Sequence, residues 1–255
     1  MNSTATLEHR VVSRSEWKRA CREFLDKEKE LTRLSDELSR QRRELPWTHV
    51  DKNYVFDAPQ GTVTLADLFH GRRQLAIYHF MFGPDWNEGC PGCSYVTDHT
   101  NGTFEHLAAR DVSFVLVSRA PLDKLAAFEK RMGWRLPWVS SGRGDFNRDF
   151  GVAFTKEEVA SGANAYNFDT IPPHGEENPG LSFFFKDAAG AIYHTYSTFG
   201  RGLDALLGTY VILDRAPKGR DEENLPAPMS WVRHHDKYEP TLPTVKSCCH
   251  SEYGK

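Results

Sequence analysis

Residues 74–94 read QLAIYHFMFGPDWNEGCPGCS, and this stretch decides the fold. Its first nine residues, 74–82, are almost continuously apolar and aromatic, the pattern of a central strand covered on both faces. Gly83 and Pro84 end the strand, and a loop carries the chain to Cys90-Pro91-Gly92-Cys93. Residues 94–110 suit a helix weakened at Asn101-Gly102, and DVSFVLVS at 111–118 is a second buried strand. Strand, cysteine loop, helix and strand make a βαβ unit, so the class is α/β with helices flanking a central mixed sheet.

The neighbouring segments extend that unit. Pro121 suits the first turn of a helix running to Met132, and Gly133 suits its exit. Residues 138–140 form a third short strand, while 181–185 and 191–196, separated by KDAAG, form an antiparallel hairpin. Residues 203–213 suit a final helix. Upstream, Tyr54, Val55 and Phe56 begin a strand, a turn follows at 58–61, and 62–69 closes a small hairpin or enters a helical turn. The stretch 141–180, rich in Gly, Asn, Asp and Pro apart from 150–154, reads as excursions over the surface.

Two extensions flank this domain. From Ser13 to Arg43, Trp17, Cys21, Phe24, Leu31, Leu34 and Leu38 recur at helical spacing, and Ser13 with Glu16 fits a capping box. This helix carries too little apolar surface to stand alone, so it either packs on the domain or pairs with a second copy as a homodimer. Beyond Asp214 the chain holds five of its 14 prolines and little periodicity, which predicts an extended tail anchored at Trp231 and Tyr238. The expected organisation is a helical extension at 1–48, an α/β domain at 49–214 and a tail at 215–255.

Composition limits the partners. With 32 Lys and Arg against 35 Asp and Glu, the formal charge of -3 offers no bulk attraction for nucleic acid or anionic lipid. No apolar run approaches the roughly 18 to 20 residues needed to cross a bilayer, so a cytoplasmic location is expected. Five cysteines, one alone at Cys21, one pair at Cys90 and Cys93 and one adjacent pair at Cys248 and Cys249, do not make a disulfide framework.

In a reducing compartment the C-x-x-C pair points to redox chemistry or to metal. Cys90 falls just before a helix, where unpaired N–H groups stabilise a thiolate, so Cys90 is the expected nucleophile. Cys93, one turn on, is close enough to close a small disulfide ring and is the expected resolving thiol. No organic cofactor is needed; the partners are a disulfide-containing or oxidised-thiol substrate and a thiol electron donor. In the alternative, Cys90 and Cys93 join Cys248, Cys249 and His250 around a soft metal such as zinc or copper.

Other polar residues cluster near the pair in sequence. Asp85 and Glu88 precede the cysteines, and either is a candidate base for Cys93. Arg119 follows the second strand at the edge where α/β sites gather, a candidate thiolate stabiliser. His79, inside the buried strand, is expected to be a hydrogen-bonded core histidine.

The strand–CxxC–helix unit resembles the thioredoxin superfamily, and CPGC shares its proline position with glutaredoxin-like and DsbA-like CPxC sites. More specifically, YHFMFGPDWNEGCPGCS, HLAARDVSFVLVSRAPLDKL, RMGWRLPWVSS, DFNRDFGV and FHGRRQLAIYHF together resemble the bacterial thioredoxin-like family catalogued as domain of unknown function 899. The resemblance implies a thioredoxin-like fold with a peroxiredoxin-like order of elements and names no substrate. It also implies a cis-proline opposite the cysteines, for which Pro179 is the match by position. Two departures stand out: Gly89 occupies the place where thioredoxins carry Trp, and residues 84–90 do not reproduce the Pro-x-x-x-Thr-x-x-Cys loop of peroxiredoxins.

Overall fold

The computed structural model describes residues 9–163 and 165–239. The chain divides into two compact units, Met1–Pro46 and Trp47–Lys255. The first is helix α1 (Arg14–Arg43), whose capping box forms as expected: Ser13 Oγ accepts from the Glu16 N–H, and the Glu16 side chain returns to Ser13. None of its residues is buried, and Cys21 is exposed.

The second unit holds one sheet, which in the described residues has eight strands. In chain order these begin β1 (Thr48–His49), β2 (Val55–Ala58), β3 (Gly61–Thr64) and β4 (Gln74–His79). Helices α2 (Pro91–Thr100) and α3 (Phe104–Ala108) lead to β5 (Val112–Ser118), α4 (Leu122–Met132) and β6 (Trp138–Ser140). Short helices α5 (Phe146–Asp149) and α6 (Lys156–Ser161) precede β7 (Gly180–Lys186), β8 (Ile192–Phe199) and α7 (Gly208–Leu213). The strand order is β1-β8-β7-β4-β5-β6-β2-β3. β4 pairs parallel with β5 and antiparallel with β7, so the cysteine strand is central and the sheet is mixed. This is the thioredoxin-like α/β architecture expected above.

Alternation along the central strands builds two cores. Ala76, Tyr78 and Phe80 join Phe114, Leu116, Cys93 and Trp138 on one face. Leu75 and Ile77 join Val115, Val117, Phe146 and Phe184 on the other. Side chains of this size each contribute about 1.5–3 kcal/mol when fully buried, so both faces must stay covered. From the segment expected to run over the surface, Phe146 joins the second of these cores and Tyr166 is buried in a third, smaller cluster with Val152, Phe154 and Phe199. Apolar residues scattered among turn formers carry no periodicity, which is why their burial is not legible in the sequence.

Two expected helices are divided. The 94–110 segment breaks into α2 and α3 at Asn101-Gly102, the weakness noted above. The 203–213 segment is a 3-10 stretch, Gly200–Leu206, followed by α7. The division falls where the backbone meets α2: Thr209 N–H donates to His99 Nε2 at 3.0 Å, and a β-carbon on Gly208 would lie 3.3 Å from the His99 ring. Only glycine allows that approach without moving the ring.

The tail, to Glu239, packs on the α/β domain. Trp231 is a partly buried anchor as expected, but Tyr238 is largely exposed, and the deeper anchors are Val232 and His234. Glu222 organises this region by accepting from Tyr210 O–H (2.7 Å), Met229 N–H (3.0 Å) and Trp231 Nε1–H (2.5 Å).

Candidate active site

Cys90 is the N-cap of α2 in extended conformation, with φ -58° and ψ 131°, and Pro91 opens the first turn. Proline fits there because the N–H it lacks has no helical partner in any case. The loop is tied to the strand by a Cys90 N–H bond to the Met81 carbonyl (3.0 Å), and the Ser94 N–H and hydroxyl both bond to the Cys90 carbonyl at 2.9 Å.

This placement makes the two thiols unlike. The Cys90 thiol is lowered to about 7, chiefly by the hydrogen bond from the Cys93 thiol and further by the N–H groups of Cys93 and Gly92, against the opposing effect of burial. Cys93 is buried, and burial pushes its thiol well upward, with the neighbouring Cys90 sulfur adding to the effect. Two groups act the other way on Cys93: the Tyr78 O–H, and the Met81 N–H at 3.3 Å from Sγ. The arrangement is an activated outer thiolate above a buried thiol that can proceed to attack once its proton is removed.

Tyr78 is a site residue that sequence reasoning misses. Period-two alternation puts it on the same sheet face as Phe80 and Cys93, and that is the only signal it leaves. His79, on the opposite face, is the core histidine expected: its Nε2 lies 2.8 Å from Ser182 Oγ, which continues to Ser197 and His194.

The other candidates sit differently from expectation. Arg119 is committed to Glu177, its Nε donating to Oε1 at 2.6 Å, and Glu177 is only 3% exposed. A carboxylate so enclosed requires the guanidinium as its partner, and Arg119 is not among the groups that lower the Cys90 thiol. Glu88, the candidate base, is engaged by two cations. It ion-pairs with Lys237 (2.6 Å) and Arg131 (2.7 Å), and Lys237 holds its carboxyl below the usual range. Asp85 is exposed. Pro179 follows a trans peptide bond, not the cis bond the resemblance implied. Its carbonyl accepts from the Tyr166 hydroxyl. The preceding Asn178 is pinned through its N–H to Val152 and its side chain to His174 and Gly175, which sets the entry to β7 with the ordinary trans geometry.

The departure at Gly89 has a packing cause. A β-carbon there would lie 2.6 Å from the Phe80 ring, so no larger residue fits before Cys90. Its carbonyl accepts from His234 Nε2–H at 2.8 Å, bringing the tail onto the cysteine loop. Asp236 bonds to Arg131 (2.7 Å) and His235 to Asp98 (2.8 Å), so residues 229–238 form a strap beside the site. Met229 completes it in a left-handed conformation, φ 65°. A β-carbon on Gly92 would lie 3.6 Å from Met229 Cε and 3.7 Å from Cys90 Sγ, so thioether and thiol share the space over the first helical turn.

Among the described residues no three His, Cys, Asp or Glu side chains stand together as metal ligands. Cys248, Cys249 and His250 lie outside the described residues. No described helix is long and apolar enough to cross a membrane.

Similar solved structures include the peroxidoxin BcpB from Mycobacterium tuberculosis, 16% identical over 64% of this chain and 94% of its own, with TM-score 0.43. Others are a cysteine-to-serine mutant of PrxQ from Xylella fastidiosa, 13% identical over 65% and 94%, TM-score 0.42, and a putative thiol:disulfide interchange protein DsbE from Chlorobium tepidum, 13% identical over 66% and 97%, TM-score 0.38. No protein of curated function matches the chain. The family model for bacterial proteins of unknown function, DUF899, matches residues 6–238, and the chain belongs to that family.

Proposed function

We propose that the protein is a dithiol–disulfide oxidoreductase that works through Cys90 and Cys93. The observation that carries this reading is the pairing of an activated thiol at a helix N-terminus, Cys90, with a buried thiol one turn on, Cys93. The Cys90 thiolate attacks a sulfur of a substrate disulfide, or an oxidised thiol, forming a mixed disulfide and expelling the substrate's other sulfur or the oxygen leaving group. Cys93 loses its proton and attacks Cys90 Sγ, which releases the reduced substrate and closes the Cys90–Cys93 disulfide. A thiol donor reopens the disulfide, and no organic cofactor takes part. Such a cycle suits the reducing cytoplasm.

The test is differential alkylation with peptide mass spectrometry across a graded glutathione series, with and without a chelator. The expected result is that Cys90 and Cys93 titrate together as one two-electron couple, roughly between -270 and -120 mV. A pair that never forms a disulfide and is alkylated only after chelation overturns the reading in favour of a soft-metal site.

A further inference from the structure

A cavity of about 500 Å³ opens beside the sheet, between β1 and the segment that follows it, the end of α5 and residues 165–169, with β8 behind. Cavities of this size hold small organic ligands. We propose that it is a binding site for a small aromatic amine carrying a hydroxyl group at the end remote from its ammonium. The proposal goes beyond the dithiol reading, because the polar floor of the cavity belongs to the sheet face away from Cys93.

The floor is polar and enclosed. His194 and Ser197 of β8 line it, with His194 Nε2 2.7 Å from Ser197 Oγ, and the chain of contacts continues through Ser182 to His79 at 2.8 Å for each step. Ser197 is 4% exposed, and burial holds His194 below the ordinary histidine range, so the floor carries no charge at neutral pH. A hydroxyl both donates and accepts, so it can join such a chain whichever way its protons run. A charged group there would lose its hydration without a counter-charge.

Above the floor the walls are aromatic and the charge is acidic. Phe150 and Phe199 line the space, and Lys52 Nζ stands 5.3 Å over the Tyr54 ring, so the wall already holds one ammonium against a ring. Three aspartates, Asp51, Asp149 and Asp169, line the cavity against one lysine. That lysine is committed to Asp145 (2.9 Å) and Asp149 (2.7 Å). Asp169 makes no hydrogen bond or ion pair among the described residues. Such a lining favours a cation and disfavours an anion.

The backbone beside Asp169 supplies an independent sign. Asn167, Phe168 and Asp169 are consecutive and all left-handed, with φ of 53°, 60° and 61°. Asn and Asp tolerate that conformation, whereas it is strained for a bulky residue such as Phe. The turn leaves Phe168 67% exposed, its ring edge-on to Phe199 at 5.3 Å. An apolar ring held open on strained backbone, next to an unpaired carboxylate, is completed by an organic ammonium: the ring takes the cation's face contact and the carboxylate takes its charge.

The test is isothermal titration of the reduced full chain with ligands of one ring and different charge: tyramine (cationic), tyrosol (neutral) and 4-hydroxyphenylacetate (anionic), with phenethylamine as the amine that lacks the hydroxyl. The expected result is one saturable site per chain for tyramine, at least about fivefold tighter than for tyrosol or phenethylamine, and no measurable binding of the anion up to about 10 mM. Asp169→Asn should remove most of the preference for tyramine over tyrosol, and Phe168→Ala should weaken tyramine severalfold. Both side chains are exposed, so neither change disturbs the core. Absence of saturable tyramine binding, equal affinity for the three charge forms, equal affinity for tyramine and phenethylamine, or tyramine binding that both variants leave unchanged overturns the proposal. The alkylation titration above reads the cysteines alone, so either result stands without the other.

Discussion

Cys90 and Cys93 are three residues apart and chemically opposite, because one ends a loop at a helix N-terminus and the other points into the core. The consequence is visible in pH dependence. Alkylation of Cys90 in the reduced chain should rise through an inflection near pH 7, where its thiol titrates, while Cys93 stays unreactive well beyond the ordinary thiol range. Peptide-resolved iodoacetamide rates from pH 5 to 10 measure both, and equal profiles for the two thiols would contradict the asymmetry. Tyr78 belongs to the same scale. Its O–H lowers the thiol of Cys93, so Tyr78→Phe should shift the release of a mixed disulfide toward higher pH, with Cys90 alkylation little changed. Losing one buried hydrogen bond costs about 1 kcal/mol of stability, so the variant remains folded and its pH profile can be read.

Among the elements, the strap is the one whose sequence least resembles a structural element. It is held mainly by the His234–Gly89 bond and by Trp231 and Val232 against the core, since the Glu88–Lys237 pair is partly exposed and such pairs contribute about 1 kcal/mol or less. Lys237→Ala should therefore change stability by under about 1 kcal/mol, whereas His234→Ala, which leaves a buried carbonyl unpaired, should cost roughly 1–3 kcal/mol. Urea unfolding of both variants decides between these magnitudes. Helix α1 makes a contrasting case, because its start is legible from Ser13 and Glu16 alone. Ser13→Ala should lower helicity at its N-terminal end at a cost of about 0.5–2 kcal/mol, measurable by circular dichroism and hydrogen exchange.

For the whole molecule, the two-faced sheet sets the response to acid. His79 is fully enclosed on the face away from the cysteines, stacked on Phe146 and Phe150, and burial followed by the nearby His194 pushes its pKa down to about 3. An unfolded chain takes up that proton near pH 6.5, so between there and about pH 3 the unfolded state binds the extra proton. Stability must fall as pH falls through that window, at up to about 1.4 kcal/mol per pH unit from this one group. Denaturant midpoints at pH 7, 6, 5 and 4 should show a gentler decline in His79→Asn, which keeps a hydrogen-bonding side chain for Ser182. Parallel declines in the two proteins would assign the acid sensitivity elsewhere. The same sheet explains why Phe146 is core without a sequence pattern that says so: a chain segment becomes core by lying on an apolar face, whatever its own periodicity.

What the sequence determined by itself was local. Hydrophobic runs at 74–82 and 111–118, the capping residues, Pro91 at a helix start and the Cys90-x-x-Cys93 spacing all act within a few residues of each other, and they specify strands, helices and a dithiol. What only the tertiary structure decided were partnerships over long separations. Glu88 pairs with Lys237, Arg119 pairs with buried Glu177, and Gly89 meets His234, 145 residues away. Local spacing carries no information about such pairs. They are chosen when packing excludes water and each enclosed polar group must find a partner, a condition that exists only once the sheet is covered on both faces.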